Sequence, residues 1–312
     1  MIRRRHFGLI GLSALARPAA AADPRWPNAI VIATASPGGT YHAFGVGLAR
    51  ILTRELGIAV SIRETSGPAE NLRLVEEGQA QIGFVTTGAV MEARAERGGA
   101  RALFAMYDTP FHFVVRRDSP IRSVVDLAGK TVAVGPAGGT GADYVPRMLA
   151  ALGAEIQPAN GSWADLAARF RVGEIDAIAV AAGVPFPAIA DLEARRAIRY
   201  IPITRDQVAR IRLVAPELSA SSIPAGTYPS LMMPYETVGL FNIAIARQDM
   251  VPSLAFEIVR DVFEFHAEMM EAHPAAAATV PGNFVRNTVL PWHPGAMRYY
   301  GSRAVTGVLT GD

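Results

Sequence analysis

From residue 30 onward, short apolar runs alternate with amphipathic ones. Ile30–Ala35 is apolar and β-branched, as a buried parallel strand requires. Tyr41–Leu56 places Phe44, Leu48, Ile51 and Leu52 on one face at helical spacing. Val60–Thr65 alternates and reads as a strand. Ala69–Glu77 reads as a helix with Leu72 and Val75 inward, stopped by Gly78. Ile82–Thr86 predicts a buried strand, Met91–Arg97 a helix and Ala102–Tyr107 a further strand. This βαβαβ order predicts a parallel sheet with helices on both faces.

Phe111–Arg117 is strand-like with no helix before it, and the turn signal Asp118-Ser-Pro-Ile follows. A first crossing between two lobes is expected there. A second βα series follows: strand Thr131–Val134, helix Ala142–Leu152, helix Trp163–Arg171, strand Ala177–Ala181 and strand Ile198–Ile203. Ala182–Pro187 and Ile223–Pro229 read as loops, and Thr237–Ala246 as the returning strand. Pro252–Ala272 predicts one long helix with Phe256, Val259, Phe263 and Met270 along its apolar stripe. Two lobes joined by two crossings form a hinged clamshell. The first is expected over residues 23–111 and 246–312, the second over 112–245.

Two glycine loops stand at matching places in this pattern. Gly38-Gly39-Thr40 follows the first strand, and Gly138-Gly139-Thr140 follows Thr131–Gly135; each opens a helix. A glycine turn at a helix start leaves N–H groups unpaired at the positive end of the helix dipole, which suits an anion. The plain alternative is a βα turn that needs glycine for its geometry alone. In open α/β sheets ligands bind beyond the carboxyl ends of the strands, where both loops fall.

Composition narrows the picture. Half of the 312 residues are hydrophobic and 19% are charged, enough for a sizeable core. Arg3-Arg4-Arg5, the apolar stretch Phe7–Ala16 and Ala20-Ala21-Ala22 read as an export signal over residues 1–22, and Arg4–Leu9 is similar to a twin-arginine signal. Taking Arg3, Arg4, Arg5 and Arg17 from the 30 basic residues leaves 26 against 28 acidic, so the rest of the chain is slightly negative. No basic cluster with interleaved aromatics argues for nucleic acid. There is no cysteine, which excludes disulfides, thiolate metal sites, a cysteine nucleophile and a lipid-bearing N-terminal cysteine. His42, His112, His266, His273 and His293 show no metal-binding spacing, and no metal or other cofactor is expected. Lys130, the only lysine, is set in an expected turn.

Several segments in series resemble the TAXI family, the solute receptors of one branch of the tripartite ATP-independent periplasmic (TRAP) transporters. They are Ala33–Tyr41, Thr65–Leu74, Gly78–Val85, Asp126–Gly135, Val184–Ala188, Ile223–Pro229 and His293–Tyr300. The resemblance covers about Ala29 to Tyr300. It implies a type II periplasmic-binding-protein fold and no enzymatic activity. It further implies a monomeric receptor that captures a small anionic organic solute in the periplasm and delivers it to membrane TRAP permease subunits. The family's ligands run to glutamate-like and 2-oxoglutarate-like dicarboxylates. The chain departs from the family pattern at Ser36-Pro37, where a third glycine is common, at His42, where a second tyrosine is common, and at Thr86-Thr87-Gly88, where Gln-Ser-Asp is common.

With the resemblance, the expected ligand contacts are Ser36, Gly38, Gly39, Thr40 and Tyr41 on one wall and Gly138, Gly139, Thr140 and Gly141 on the other. Ser66, Gly67 and Asn71 lie at another strand-to-helix turn, where Asn71 either donates to the ligand or ties the turn. Thr86 and Thr87 end a strand at the cleft, Val184 and Pro185 close one wall, and Tyr228 either reaches the ligand or serves the core or hinge. His42 is either beside the ligand or a partly exposed helix residue. Among Arg63, Arg116, Arg117 and Arg247, one could pair with a carboxylate, or Arg116 or Arg247 could pin the hinge. A sensory receptor that presents ligand to a membrane kinase, or an enzyme on the same clamshell, are the other classes open to such a chain.

Overall fold

The computed structural model describes residues 23–93, 98–195 and 198–305. The expected export signal, the end of the expected Met91–Arg97 helix and residues 306–312 lie outside them. The chain runs β1 Ala29–Ala33, α1 Thr40–Leu56, β2 Ala59–Arg63, α2 Pro68–Glu76, β3 Ile82–Thr86, α3 Thr87–Ala93 and β4 Ala100–Arg116. It continues with β5 Thr131–Gly135, α4 Thr140–Ala151, β6 Gln157–Asn160, α5 Trp163–Val172, β7 Ala177–Ala181, α6 Pro187–Ala194, β8 Ile198–Tyr200 and α7 Arg205–Val214. The last part is β9 Ser219–Ile223, β10 Tyr235–Arg247, α8 Pro252–Glu264, α9 His266–Ala272 and α10 Pro294–Val305. Among the described residues no helix is long and apolar enough to cross a membrane.

The strands form one mixed sheet in the order β2-β1-β3-β10-β4-β7-β5-β6, with β8 beside β4 and β9 beside β10. The parallel sheet expected from the βαβαβ order is confined to its two ends. There β1 pairs with β2 and β3, and β5 pairs with β6 and β7. The centre is antiparallel, because β10 runs against β3, β4 and β9 and β4 runs against β7. The segments Ala102–Tyr107 and Phe111–Arg117, expected as separate strands, are one strand of 17 residues. Pro110, the residue that divides them in sequence, opposes Gly239 where β4 leaves β10; from Phe111 it pairs with β7 instead. A proline cannot donate to a ladder, and a change of partner is where that loss is tolerated.

The cores divide around this central pair. Phe44, Leu48 and Ile51 of α1 pack with Phe84, Phe104 and α8 on one half. Phe111 and Phe113 pack with Val145, Met148 and Leu149 of α4 on the other. Helix α1 lies unusually close to its neighbours. A Cβ on Gly45 would stand 2.4 Å from Thr34 Cγ2, and one on Gly47 would stand 2.4 Å from Ala272 Cβ of α9. Glycine inside a helix is unfavourable by about 1 kcal/mol, and here it is offset by contact with the sheet and with α9.

The expected long helix Pro252–Ala272 is two helices. The chain turns at Phe265, where φ is −100° and ψ 31°, and α9 swings onto α1. The buried face of α8 is Leu254, Ile258, Val259 and Val262 rather than the stripe through Phe256 and Phe263, and Met270 is exposed while Met269 is buried. Short β6 and β9 and helices α6 and α7 carry weak patterns and were not expected. Pro187, expected in a loop, opens α6, where its missing N–H is no loss.

Asn71 ties the first half together. Its Nδ2 donates to Thr34 O at 2.6 Å and Phe84 O at 2.7 Å, and its Oδ1 accepts from Thr65 Oγ1 at 2.7 Å. Replacing Asn71 by Ala removes one hydrogen bond from each of two carbonyls and one from the Thr65 hydroxyl, and urea unfolding at pH 7 is expected to show a loss of about 2–4 kcal/mol. A loss within experimental error would contradict this role.

Candidate functional site

The two glycine loops have the same backbone, 100 residues apart. Gly38 has φ +81° and Gly138 φ +80°, and the next glycine donates back three residues, Gly39 N to Ser36 O at 3.2 Å and Gly139 N to Pro136 O at 3.0 Å. The positive φ at the third position is that of a type II turn, which L side chains resist. Gly39 and Gly139 then serve as N-caps of α1 and α4 with extended backbones, and neither helix start has a side-chain cap. By contrast, Ser162 caps α5 and Thr204 caps α7 through their hydroxyls. The first-turn N–H groups of α1 and α4 are thus left for another acceptor.

Both helix starts face one cavity of about 80 Å³ between the halves. Ser36, Gly39, Thr40 and Tyr41 line it from one half, together with Ser66 and Gly67. Gly139, Thr140 and Gly141 line it from the other. The remaining expected residues lie elsewhere. Gly38 and Gly138 are exposed and do not line the cavity. Thr86 and Gly138 line a neighbouring cavity with Glu92 and Tyr144, and Thr87 lines a third with Asp108 and Glu217. Thr86 Oγ1 accepts from Ala89 N, at the start of α3. Asn71 spends its side chain on the turn, as described above. Val184 and Pro185, joined by a cis peptide, flank the lining residues Gly183 and Phe186 without lining the cavity.

Tyr228 stands behind the wall. Its hydroxyl accepts from Phe186 N at 2.7 Å and lies 2.9 Å from His112 Nε2. His112 is fully buried, and its Nδ1 lies 3.1 Å from Pro110 O. None of His42, Arg63, Arg116, Arg117 or Arg247 lines the cavity. Arg116 donates to Ile175 O at 2.6 Å and Phe170 O at 3.2 Å, and Arg247 pairs with Asp249.

Sequence reasoning missed the floor and the aromatic wall. Tyr107 and Thr109 come from β4 and Asn242 from β10; Trp163 and Phe186 meet edge to face at 5.2 Å. Tyr41 Oη donates to Asn242 Oδ1 at 2.6 Å, and Asn242 Nδ2 donates to Tyr107 O at 2.6 Å and to Thr109 Oγ1. The Tyr107 hydroxyl is buried with no hydrogen-bond partner. Asn242 had a usable signal, a polar residue inside an otherwise apolar strand. Tyr107 had none.

The lining carries no Asp, Glu, Lys, Arg or His among the described residues. Its polar groups are backbone N–H, hydroxyl and amide groups, and its fixed charge is the partial positive charge of two helix starts. Burial pushes the phenols of Tyr41 and Tyr107 above their usual range, so both stay neutral donors. The arrangement can hold a small anion by hydrogen bonds while excluding water.

The halves are in close contact around this cavity. A Cβ on Gly67 would lie 2.7 Å from Gly138 O, and one on Gly183 would lie 2.8 Å from Thr40 Cγ2. Arg147 of α4 reaches Glu92 of α3 at 3.1 Å and lies 4.4 Å above the Tyr144 ring.

Burial lowers the His112 pKa from 6.5 to about 4. An imidazole that resists protonation in the folded state contributes stability that is complete above pH 6.5 and is lost as pH falls toward 4. The loss is on the order of 3 kcal/mol. Urea unfolding at pH 7 and pH 4.5 is expected to show a steeper loss for the unmodified chain than for His112→Gln. Equal pH dependence would remove His112 as the titrating group.

A protein-family model described as the NMT1-like family matches residues 32–302. An R. palustris protein solved with adipate superposes with a TM-score of 0.55 at 15% identity, over 91% of this chain and 95% of that one. A Xanthomonas citri protein solved bound to ATP gives 0.51 at 18% identity, over 90% and 98%. The periplasmic aliphatic sulphonate binding protein SsuA of Escherichia coli gives 0.45 at 18%, over 88% and 83%. At such identities the likeness is one of fold alone, an α/β mixed sheet with helices. The family match spans both glycine loops, the two central strands and the whole cavity lining, and the chain belongs to the NMT1-like family.

Proposed function

We propose that this chain is an extracytoplasmic solute receptor of a TAXI-type TRAP transporter, which closes on a small organic acid and delivers it to a membrane permease. The observation that carries the reading is the convergence of two uncapped, glycine-started helices on one buried cavity between the halves. Each offers unpaired N–H groups at the positive end of a dipole, so a carboxylate is stabilised from both sides without a cationic side chain.

The two halves, residues 23–111 with 246–312 and residues 112–245, act in this reading as lobes that turn on β4 and β10. The contacts of Gly67 with Gly138 and of Thr40 with Gly183 belong to the closed state, and the Arg147–Glu92 pair adds an exposed latch across the cleft. Delivery implies a periplasmic location and export by the amino-terminal segment. The TAXI resemblance makes glutamate-like and 2-oxoglutarate-like dicarboxylates the first ligands to test. The lining offers hydrogen bonds and aromatic contact and lacks an acid–base pair, which supports binding rather than catalysis.

The test is isothermal titration calorimetry of purified, ligand-stripped protein against small carboxylic acids and amino acids. At least one is expected to bind, and binding of none would overturn the reading. Gly139→Val is expected to weaken that binding at least tenfold with little change in thermal midpoint. Its Cβ meets Pro136 O at 3.1 Å and Ser66 O at 3.9 Å, and the φ of −78° is open to any residue. Unchanged affinity in both Gly139→Val and Gly39→Val would remove the helix starts from the site.

A further inference from the structure

We propose that the cavity accepts carboxylates that carry no cationic centre and refuses amino acids, with the Tyr107 hydroxyl donating to a neutral oxygen, oxo or hydroxy, on the accepted ligand. The inference rests on the solute-receptor reading and narrows it.

Three observations carry it. The first is the sign of the field. Both helix starts present positive ends to the cavity, which favours a carboxylate and disfavours an ammonium in the same small space.

The second is the absence of any counter-charge for an ammonium. Among the described residues no carboxylate lines the cavity. Glu70 does not line it and is spent on Ser66, whose N and Oγ both donate to its Oε2, and the other nearby acids face other spaces. Glu92 and Asp143 line the adjoining cavity, and both lie within reach of Arg147. Asp108 faces a separate pocket and is held by Thr109 N and Ser221 Oγ. A buried ammonium needs an opposite charge and acceptors for three N–H groups, and without them its desolvation is not repaid.

The third is the Tyr107 hydroxyl. Tyr107 lines the cavity at 2% exposure, and its Oη has no partner in the protein. Buried polar groups are nearly always paired, and of the buried phenols without a partner among the described residues (Tyr107, Tyr144, Tyr200, Tyr299 and Tyr300) Tyr107 is the one that lines this cavity, which leaves its proton for a guest there. Tyr41, the other phenol of the lining, already spends its proton on Asn242. A neutral phenol donating one proton matches a ketone or hydroxyl oxygen. Discrimination then follows from what the pocket lacks as well as from what it holds.

The experiment compares ligands that differ at one carbon. Calorimetry on ligand-stripped protein would use glutarate, 2-oxoglutarate, 2-hydroxyglutarate and glutamate, and the three-carbon set propionate, pyruvate, lactate and alanine. For whichever skeleton binds, the oxo or hydroxy acid is expected to bind at least tenfold more tightly than the amino acid. A smaller preference overturns the proposal while leaving the receptor reading intact, and binding of no acid or amino acid overturns both. Tyr107→Phe is expected to reduce affinity for the oxo and hydroxy acids by about tenfold more than for the unsubstituted acid. Thermal unfolding serves as the control for folding. An equal effect on all three acids would give Tyr107 a merely structural part and overturn its assignment.

Discussion

The antiparallel pairing of β4 with β10 is the constraint on which the rest of the molecule depends. Both strands run through the two halves of the sheet, so each half builds its parallel strands and helices outward from the same two segments. They are buried along almost their whole length, with Pro110 and Gly239 opposed where the pairing partners change. The cavity floor is made from this pair. Tyr107, Thr109 and Asn242 are joined by hydrogen bonds across it, which places the floor on the element common to both halves. In the proposed lobe closure, the pivot is then close to the bottom of the site.

Above that floor the chemistry is made mostly by backbone. Glycine at the helix starts does two things that a serine or threonine cap would undo. It brings the chain close to a guest, and it leaves the first-turn N–H groups unsatisfied. Hydroxyl caps occur at Ser162 of α5 and Thr204 of α7, whereas α1, α2, α4, α6, α8 and α9 start without one; α1 and α4 are the pair whose starts follow a double glycine on opposite sides of the cavity. A lining without charged side chains follows the same economy. Fixed dipoles need no mobile counter-ion and bring no competing ion pair.

The aromatic wall depends on support that lies out of sight of the cavity. Phe186 is fixed through its own N–H to Tyr228, and Tyr228 is fixed by His112, which reaches back to Pro110 on β4. A buried, neutral histidine thus connects the central strand to the wall around Phe186.

Much of the fold was legible in the sequence because it rests on local rules. Apolar periodicity located β1, α1, β3, β5, β7 and α5 within a few residues, and the paired Gly-Gly-Thr motifs marked the two helix starts that line the cavity. Long-range pairing decided the rest. Nothing local says that Ala102–Tyr107 and Phe111–Arg117 are one strand, since that depends on β10 arriving more than a hundred residues later. The same holds for Asn71, whose amide ties three chain segments instead of facing the cavity, and for Tyr107, an ordinary apolar-face residue in sequence whose buried hydroxyl is left without a partner. The sequence by itself marked the glycine-led starts of α1 and α4 and left them without a hydroxyl cap, because capping is settled by neighbours in the chain. Only the tertiary structure decided that the bare starts meet and that no charge accompanies them, because those depend on residues brought together by a sheet whose central strands are distant in sequence.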